Sequence, residues 1–166
     1  MLSGFLVALG ILFAAPYRVK RVLTFLDPWK DPRGSGFQII QSFLAFANGS
    51  VFGSGLGNSN EKLFYLPEAY NDFIFSVVGE ELGFVGVVAV VIMFICFIYF
   101  GLRMSLQLKS RVGSIMVATV VFSIGLQAFL NMGVVLGVLP TKGLNLPFIS
   151  YGGSSIVANL AALGLI

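Results

Sequence analysis

Two long stretches of this 166-residue chain carry no charged side chain. Leu82 to Leu102 is uncharged for 21 positions and Val112 to Leu139 for 28. The first makes about 31 Å of helix, matching a hydrocarbon core of roughly 30 Å; the second spans with tilt or with one end protruding. Two partial spans flank this pair. Met1 to Ala15 is apolar but reaches only about 22 Å as a helix. It lacks the basic leader and small-residue cleavage site of a signal peptide. A last apolar run opens at Ile156 and continues to Ile166. The expectation is a piece of a longer membrane protein.

The pattern divides the chain into a partial span (1–15), a long polar-to-amphipathic segment (16–81), a span (82–102), a connector (103–111), a second span (112–139), a loop (140–155) and a truncated span (156–166). Segments 16–81 and 140–155 share one side of the membrane, and 103–111 lies on the other. Within the long segment, Phe37 to Asn48 predicts an amphipathic helix. Gln38, Gln41, Ala45 and Asn48 form one stripe; Phe37, Ile39, Ile40, Phe43, Leu44 and Phe46 form a broad apolar remainder. Without a charge of its own, this helix fits the interface or a re-entrant position. Gly49, Gly53, Gly55 and Gly57 follow, a run that permits sharp turns and close backbone approach. It matches no phosphate-loop pattern, since no Gly-Lys-Ser/Thr closes it and no strand precedes it.

Composition agrees: 57% hydrophobic, 10% charged, mean hydropathy +0.96. The class is an all-α membrane protein, a polytopic helical bundle. There is no His, and the single Cys, Cys96, lies inside a span. Cys/His nucleophilic pairs, His-bearing zinc sites and intrachain disulfides are therefore excluded. A net charge of +3 without a basic stripe argues against nucleic acid.

All seven acids (Asp27, Asp31, Glu61, Glu68, Asp72, Glu80, Glu81) fall between positions 27 and 81. Asp72 stands ten residues before the first uncharged run, at headgroup depth or in a vestibule. It reads either as a general base in an amphipathic cavity or as an interfacial helix-start acid favoured by the macrodipole; the residues alone leave both open. Glu80 and Glu81 read as structural, beside Gly79, Gly83 and Gly86, which permit close helix packing. The second constellation runs from Leu139-Pro140-Thr141-Lys142-Gly143-Leu144 through Pro147 to Ser155. Lys142 is the only charge in the last 55 residues. One ammonium between apolar walls suits a phosphate or pyrophosphate, and the alternative is a snorkelling interfacial Lys. Gln127 and Asn131, i and i+4 in a span, are expected to hydrogen-bond to neighbouring helices.

Several polar motifs together resemble the shape, elongation, division and sporulation (SEDS) family. They are Asp27-Pro28-Trp29, Gly34-Ser35-Gly36-Phe37-Gln38, Gly55-Leu56-Gly57-Asn58-Ser59, Leu66-Pro67-Glu68-Ala69 with Asp72-Phe73-Ile74-Phe75, Gly79-Glu80-Glu81-Leu82-Gly83, and the Pro-rich loop through Ser155. The Asp-Pro-Trp and Thr-Lys-Gly forms favour the septal branch over the elongation branch. The likeness covers nearly the whole chain.

The resemblance implies about four helices of a ten-helix fold, with 16–81 and 140–155 outside the cytoplasmic membrane and 103–111 in the cytoplasm. Basic residues alone point the other way, seven on the long-segment side against three in the connector. It further implies polymerisation of lipid II, the undecaprenyl-pyrophosphate disaccharide-pentapeptide, at the septal inner membrane. Asp72 takes the place of the family's essential acid. Lys142, Glu68, Arg33, Ser150 and Tyr151 are then substrate-binding candidates, and Arg18, Lys20 and Arg21 could collect the anionic headgroup. A divalent cation, Mg or Mn, could assist, although no ligand set is legible. The implied partners are a class B penicillin-binding transpeptidase, other divisome proteins and membrane lipids. One departure is notable: many members carry His-Thr just before the acid, where this chain has Tyr70-Asn71. The alternatives are a lipid II flippase, for which the polar path through the spans is thin, and a non-catalytic scaffold for the transpeptidase.

Overall fold

The computed structural model describes residues 21, 23–32, 34, 36–57, 71–141 and 143–164. In chain order the main helices are α1 (Phe37–Gly49), α2 (Ile74–Gln107), α3 (Arg111–Val135) and α4 (Gly153–Gly164), preceded by a 3-10 turn at Pro28–Lys30. Among the described residues there is no strand. Two helices, α2 and α3, are long and apolar enough to cross a membrane. Their outward faces expose Phe84, Ile92, Ile95, Phe100, Phe122 and Phe129, as lipid-facing surfaces do.

The helices do not end where the charges begin. α2 starts at Ile74, eight residues before the uncharged run, and continues through Arg103 to Gln107. The expected nine-residue connector is thus a turn of Leu108, Lys109 and Ser110. Lack of charge marks the thickness of hydrocarbon; a helix that leaves it can carry charged side chains into water without breaking. Ser110 caps α3, its Oγ accepting from the Gly113 N–H at 3.4 Å, and Ser105 Oγ donates to the Ser114 carbonyl at 2.8 Å. At the other end α3 stops at Val135, short of Leu139. Gly137 takes φ 69°, and the Val138 and Leu139 amides turn back to the Gly133 carbonyl, a glycine-terminated end. α4 opens at Gly153 rather than Ile156.

α2 and α3 cross at small residues. A Cβ on Gly125 would overlap the Ile98 side chain, and one on Gly101 the Val121 side chain. The core lies nearer the α2 N-terminus and joins Phe73, Phe75, Phe94, Ala128, Met132, Val135 and Leu146. Phe46 of α1 meets Phe75 edge-on, with centroids 6.1 Å apart. Phe75 is fully buried; truncating such a ring to Ala costs about 3–5 kcal/mol.

α1 is amphipathic in a different sense from the expected one. Its buried positions are Ile39, Ile40, Ser42, Ala45 and Gly49, while Phe43 and Leu44 face outward. The inward face starts with Ile39 and Ile40 and narrows to the small Ser42, Ala45 and Gly49, where the helix backbones nearly touch. A Cβ on Gly49 would overlap the Gly79 carbonyl oxygen. Ser42 Oγ lies 2.8 Å from the Ile39 carbonyl and 3.0 Å from that of Val135, tying α1 to the end of α3.

α2 is broken at Gly83, which adopts φ 67° and ψ −163°. Helical bonds lost there are replaced by the glycine-rich segment after α1. Ser54 N–H donates to the Glu80 carbonyl at 2.9 Å and Gly55 N–H to that of Glu81 at 3.1 Å. Phe84 and Val85 N–H groups donate to the Ser50 and Val51 carbonyls at 3.0 and 3.2 Å. The glycine run therefore lies against the opened helix and completes its backbone pairing. The part of α2 beyond the break, 84–107, is about 36 Å long and suffices to cross the bilayer alone.

Candidate functional site

Asp72 sits in the turn 71–73 that leads into α2. Phe73 on one side of it is buried, and the Ser76 hydroxyl closes the turn by donating to the Phe73 carbonyl at 2.7 Å. With Phe73 and Phe75 turned into the core, the intervening main chain is held and Asp72 is left half-buried at the rim. Facing it is the Pro-rich loop between α3 and α4. The carboxylate lies against Gly143: a methyl group placed there would come within 3.0 Å of Asp72 Oδ2. The two constellations, about 70 residues apart in sequence, thus meet at one end of the bundle.

Two amides of α3 fasten the loop. Asn131, 1% exposed, donates through Nδ2 to the Asp72 carbonyl at 2.8 Å and also to the Leu144 carbonyl. One turn earlier, Gln127 Nε2 donates to the Asn145 carbonyl at 3.0 Å. Both were expected to bond neighbouring helices; instead they hold non-helical main chain, whose carbonyls have no ladder partner inside an apolar bundle. Arg21 Nη1 donates to the Thr141 carbonyl at 3.1 Å, which brings a guanidinium to the residue next to Lys142.

The loop is also braced from within. Leu146 N–H donates to Ser150 Oγ at 2.7 Å and Ser150 N–H returns to the Leu146 carbonyl at 3.0 Å. Pro147 is buried, and Phe148 is held at φ 65°. Ser150 is itself 2% exposed. Its oxygen accepts from the Leu146 amide and so locks the turn. Tyr151, 82% exposed, is open to the surroundings.

Glu68, Arg33 and Lys142 lie outside the described residues, as do Arg18 and Lys20. Glu80 is 1% exposed and sits in the helix break, with its carbonyl serving the Ser54 amide and hydroxyl. Sequence reasoning did not single out Asn131 as part of the Asp72 site. The available signal was a pair of amides one turn apart in an otherwise apolar run. Among the described residues no three His, Cys, Asp or Glu side chains converge. They do not by themselves make a donor set for a divalent cation.

A family model described as "Cell cycle protein" and covering FtsW, RodA and SpoVE matches residues 1–166. The chain is 53% identical over 150 residues to a Geobacter metallireducens protein named "Probable peptidoglycan glycosyltransferase FtsW", covering 90% of this chain and 40% of that one. It is 46% identical over 165 residues to "Stage V sporulation protein E" of Bacillus subtilis, covering 99% of this chain and 44% of that one. The chain therefore spans about two fifths of the length of the curated relatives it matches. A solved structure concerned with "structural coordination of polymerization and crosslinking by a peptidoglycan synthase complex" superposes with a TM-score of 0.73 at 35% identity, over 99% of this chain and 46% of that one.

Proposed function

The chain belongs to the FtsW/RodA/SpoVE family of cell cycle proteins, and from that premise we propose that the full-length protein is a septal peptidoglycan glycosyltransferase that polymerises lipid II, with Asp72 as its general base. The observation that carries this reading is the placement of the Asp72 carboxylate. It is half-buried, fixed at the end of α2, and turned onto the Gly143 main chain of the Pro-rich loop. Relatives named as peptidoglycan glycosyltransferases support the reaction class.

The 4-hydroxyl of an acceptor GlcNAc attacks the anomeric carbon of the donor sugar and its proton passes to Asp72. A new C–O bond forms as the bond to the lipid pyrophosphate breaks, and the pyrophosphate leaves with the electron pair. An α-linked donor becomes a β-linked product in one inverting displacement. A carboxylate held within reach of the hydroxyl contributes about 10²–10⁴-fold. Cationic groups at the Pro-rich loop, Lys142 and the Arg21 guanidinium on Thr141, stabilise charge on the leaving pyrophosphate. In this reading the site faces outward from the cytoplasmic membrane, and a class B penicillin-binding transpeptidase is the partner. The peptidoglycan synthase complex among the similar structures supports such a partner.

The test is Asp72→Asn in the full-length protein, reconstituted with its transpeptidase and assayed for glycan by gel. Polymerisation is expected to fall by about 10²-fold or more, with lipid II still bound. Wild-type turnover by a folded Asp72→Asn protein refutes the general-base assignment.

A further inference from the structure

Asp72 and the Pro-rich loop are joined through one side chain of α3. Asn131 is fully buried on α3, and its one Nδ2 group serves two main-chain carbonyls that no helix satisfies: that of Asp72 and that of Leu144. These lie 59 and 13 residues away along the chain. The neighbouring contact is tight as well, because Gly143 leaves only a hydrogen's width beside Asp72 Oδ2. Asn131 Oδ1 is buried without a hydrogen-bond partner among the described residues.

We propose that Asn131 is a positioning residue: it clamps the main chain that carries the Asp72 base to the main chain of the Pro-rich loop, and so sets the distance between the base and the bound substrate. This rests on the reading of Asp72 as the base. The physical consequence follows from the short reach of proton transfer. A general base works at a heavy-atom separation of about 2.6–3.2 Å, and a misplacement of about 1 Å can cost about 10²-fold in rate. Two carbonyls sharing one amide move together; without it, their spacing rests on the apolar packing of Phe73 and Leu146 in the shared core, which is less directional than a hydrogen bond. Asn131 touches neither substrate nor reacting atoms, so its effect is exerted through Asp72.

The test compares Asn131→Ala with Ser42→Ala in the full-length protein. Ser42 makes a buried hydroxyl bond to the Val135 carbonyl of the same helix α3 and bonds neither the Asp72 turn nor the Pro-rich loop, and so controls for general loosening. Asn131→Ala is expected to lower kcat by about 10²-fold with KM for lipid II within about threefold, while Ser42→Ala lowers the melting temperature by a similar amount and leaves kcat unchanged. Should Asn131→Ala not accumulate, Asn131→Ser keeps a polar group in place but is too short to hold both carbonyls, and the same kcat loss is expected. If the Asn131 and Ser42 variants change kcat and melting temperature in the same proportion, or if a folded Asn131 variant turns over like wild type, the proposal is overturned. Asp72→Asn measured alongside separates the two layers. An active Asp72→Asn protein removes the base reading, whereas an inactive one beside an active Asn131→Ala protein removes only the clamp.

Discussion

Replacing Gly83 by Ala tests whether the glycine-rich segment truly completes the opened helix. Gly83 holds φ 67° and ψ −163°, a region that is essentially glycine-only and costs a residue with a Cβ about 1–3 kcal/mol. The new methyl would also overlap the Gly53 nitrogen and the Val51 carbonyl. To relieve this, the segment 50–55 has to move off α2, and four main-chain bonds (from Ser54, Gly55, Phe84 and Val85) are strained or lost. At about 1 kcal/mol each, complete displacement adds about 4 kcal/mol, so the expected loss lies between about 1 and 7 kcal/mol. Gly57→Ala is the matched control. Gly57 has φ 83° but nothing within 4 Å of an added Cβ, so only the conformational cost of about 1–2 kcal/mol applies. Thermal unfolding of the purified full chain in detergent gives the stability difference, and hydrogen exchange read on the Ser54 and Gly55 amides gives the mechanism. Faster exchange at those amides, with a larger melting shift for Gly83→Ala than for Gly57→Ala, is the expected result. Equal shifts for the two variants, or unchanged protection at Ser54 and Gly55, would refute the reasoning.

Three further outcomes follow from the site. Gly143→Ala puts a methyl group 3.0 Å from Asp72 Oδ2; full-length turnover is expected to fall roughly tenfold or more through displacement of the carboxylate, with the melting temperature little changed. Ser150→Ala removes the acceptor of the buried Leu146 N–H, costing about 1–3 kcal/mol in thermal unfolding. Tyr151→Phe removes a hydroxyl from a ring that is 82% exposed; stability should hold, and any rise in KM for lipid II measures a substrate contact.

The helical class was legible because hydrocarbon imposes a simple code: about 20 apolar residues without charge make a span. Helix ends were less legible, since charges flank the bilayer rather than the helix, as Arg103 within α2 illustrates. Asp72 and the Pro-rich loop were each visible as polar features in an apolar chain. Their contact was not, because it is made through Gly143 and Asn131, and a glycine or a buried amide carries no pattern that says what it will face. Ser150 shows a further limit: nothing in the polar motif indicated that its oxygen would accept the Leu146 amide and close the turn.

By itself, then, the chain's order of residues determined that it makes apolar helices, that its acids gather before the first full span, and that two polar segments share one side. Those are local or one-dimensional properties, governed by periodicity, hydropathy and the bilayer's thickness. Only the tertiary structure decided that α2 opens at Gly83 and is closed by the glycine run, and that Asn131 joins Asp72 to the Pro-rich loop. Both are bonds to main-chain groups, and every residue has the same carbonyl and almost every one the same amide. Which of them meet is settled by packing in three dimensions.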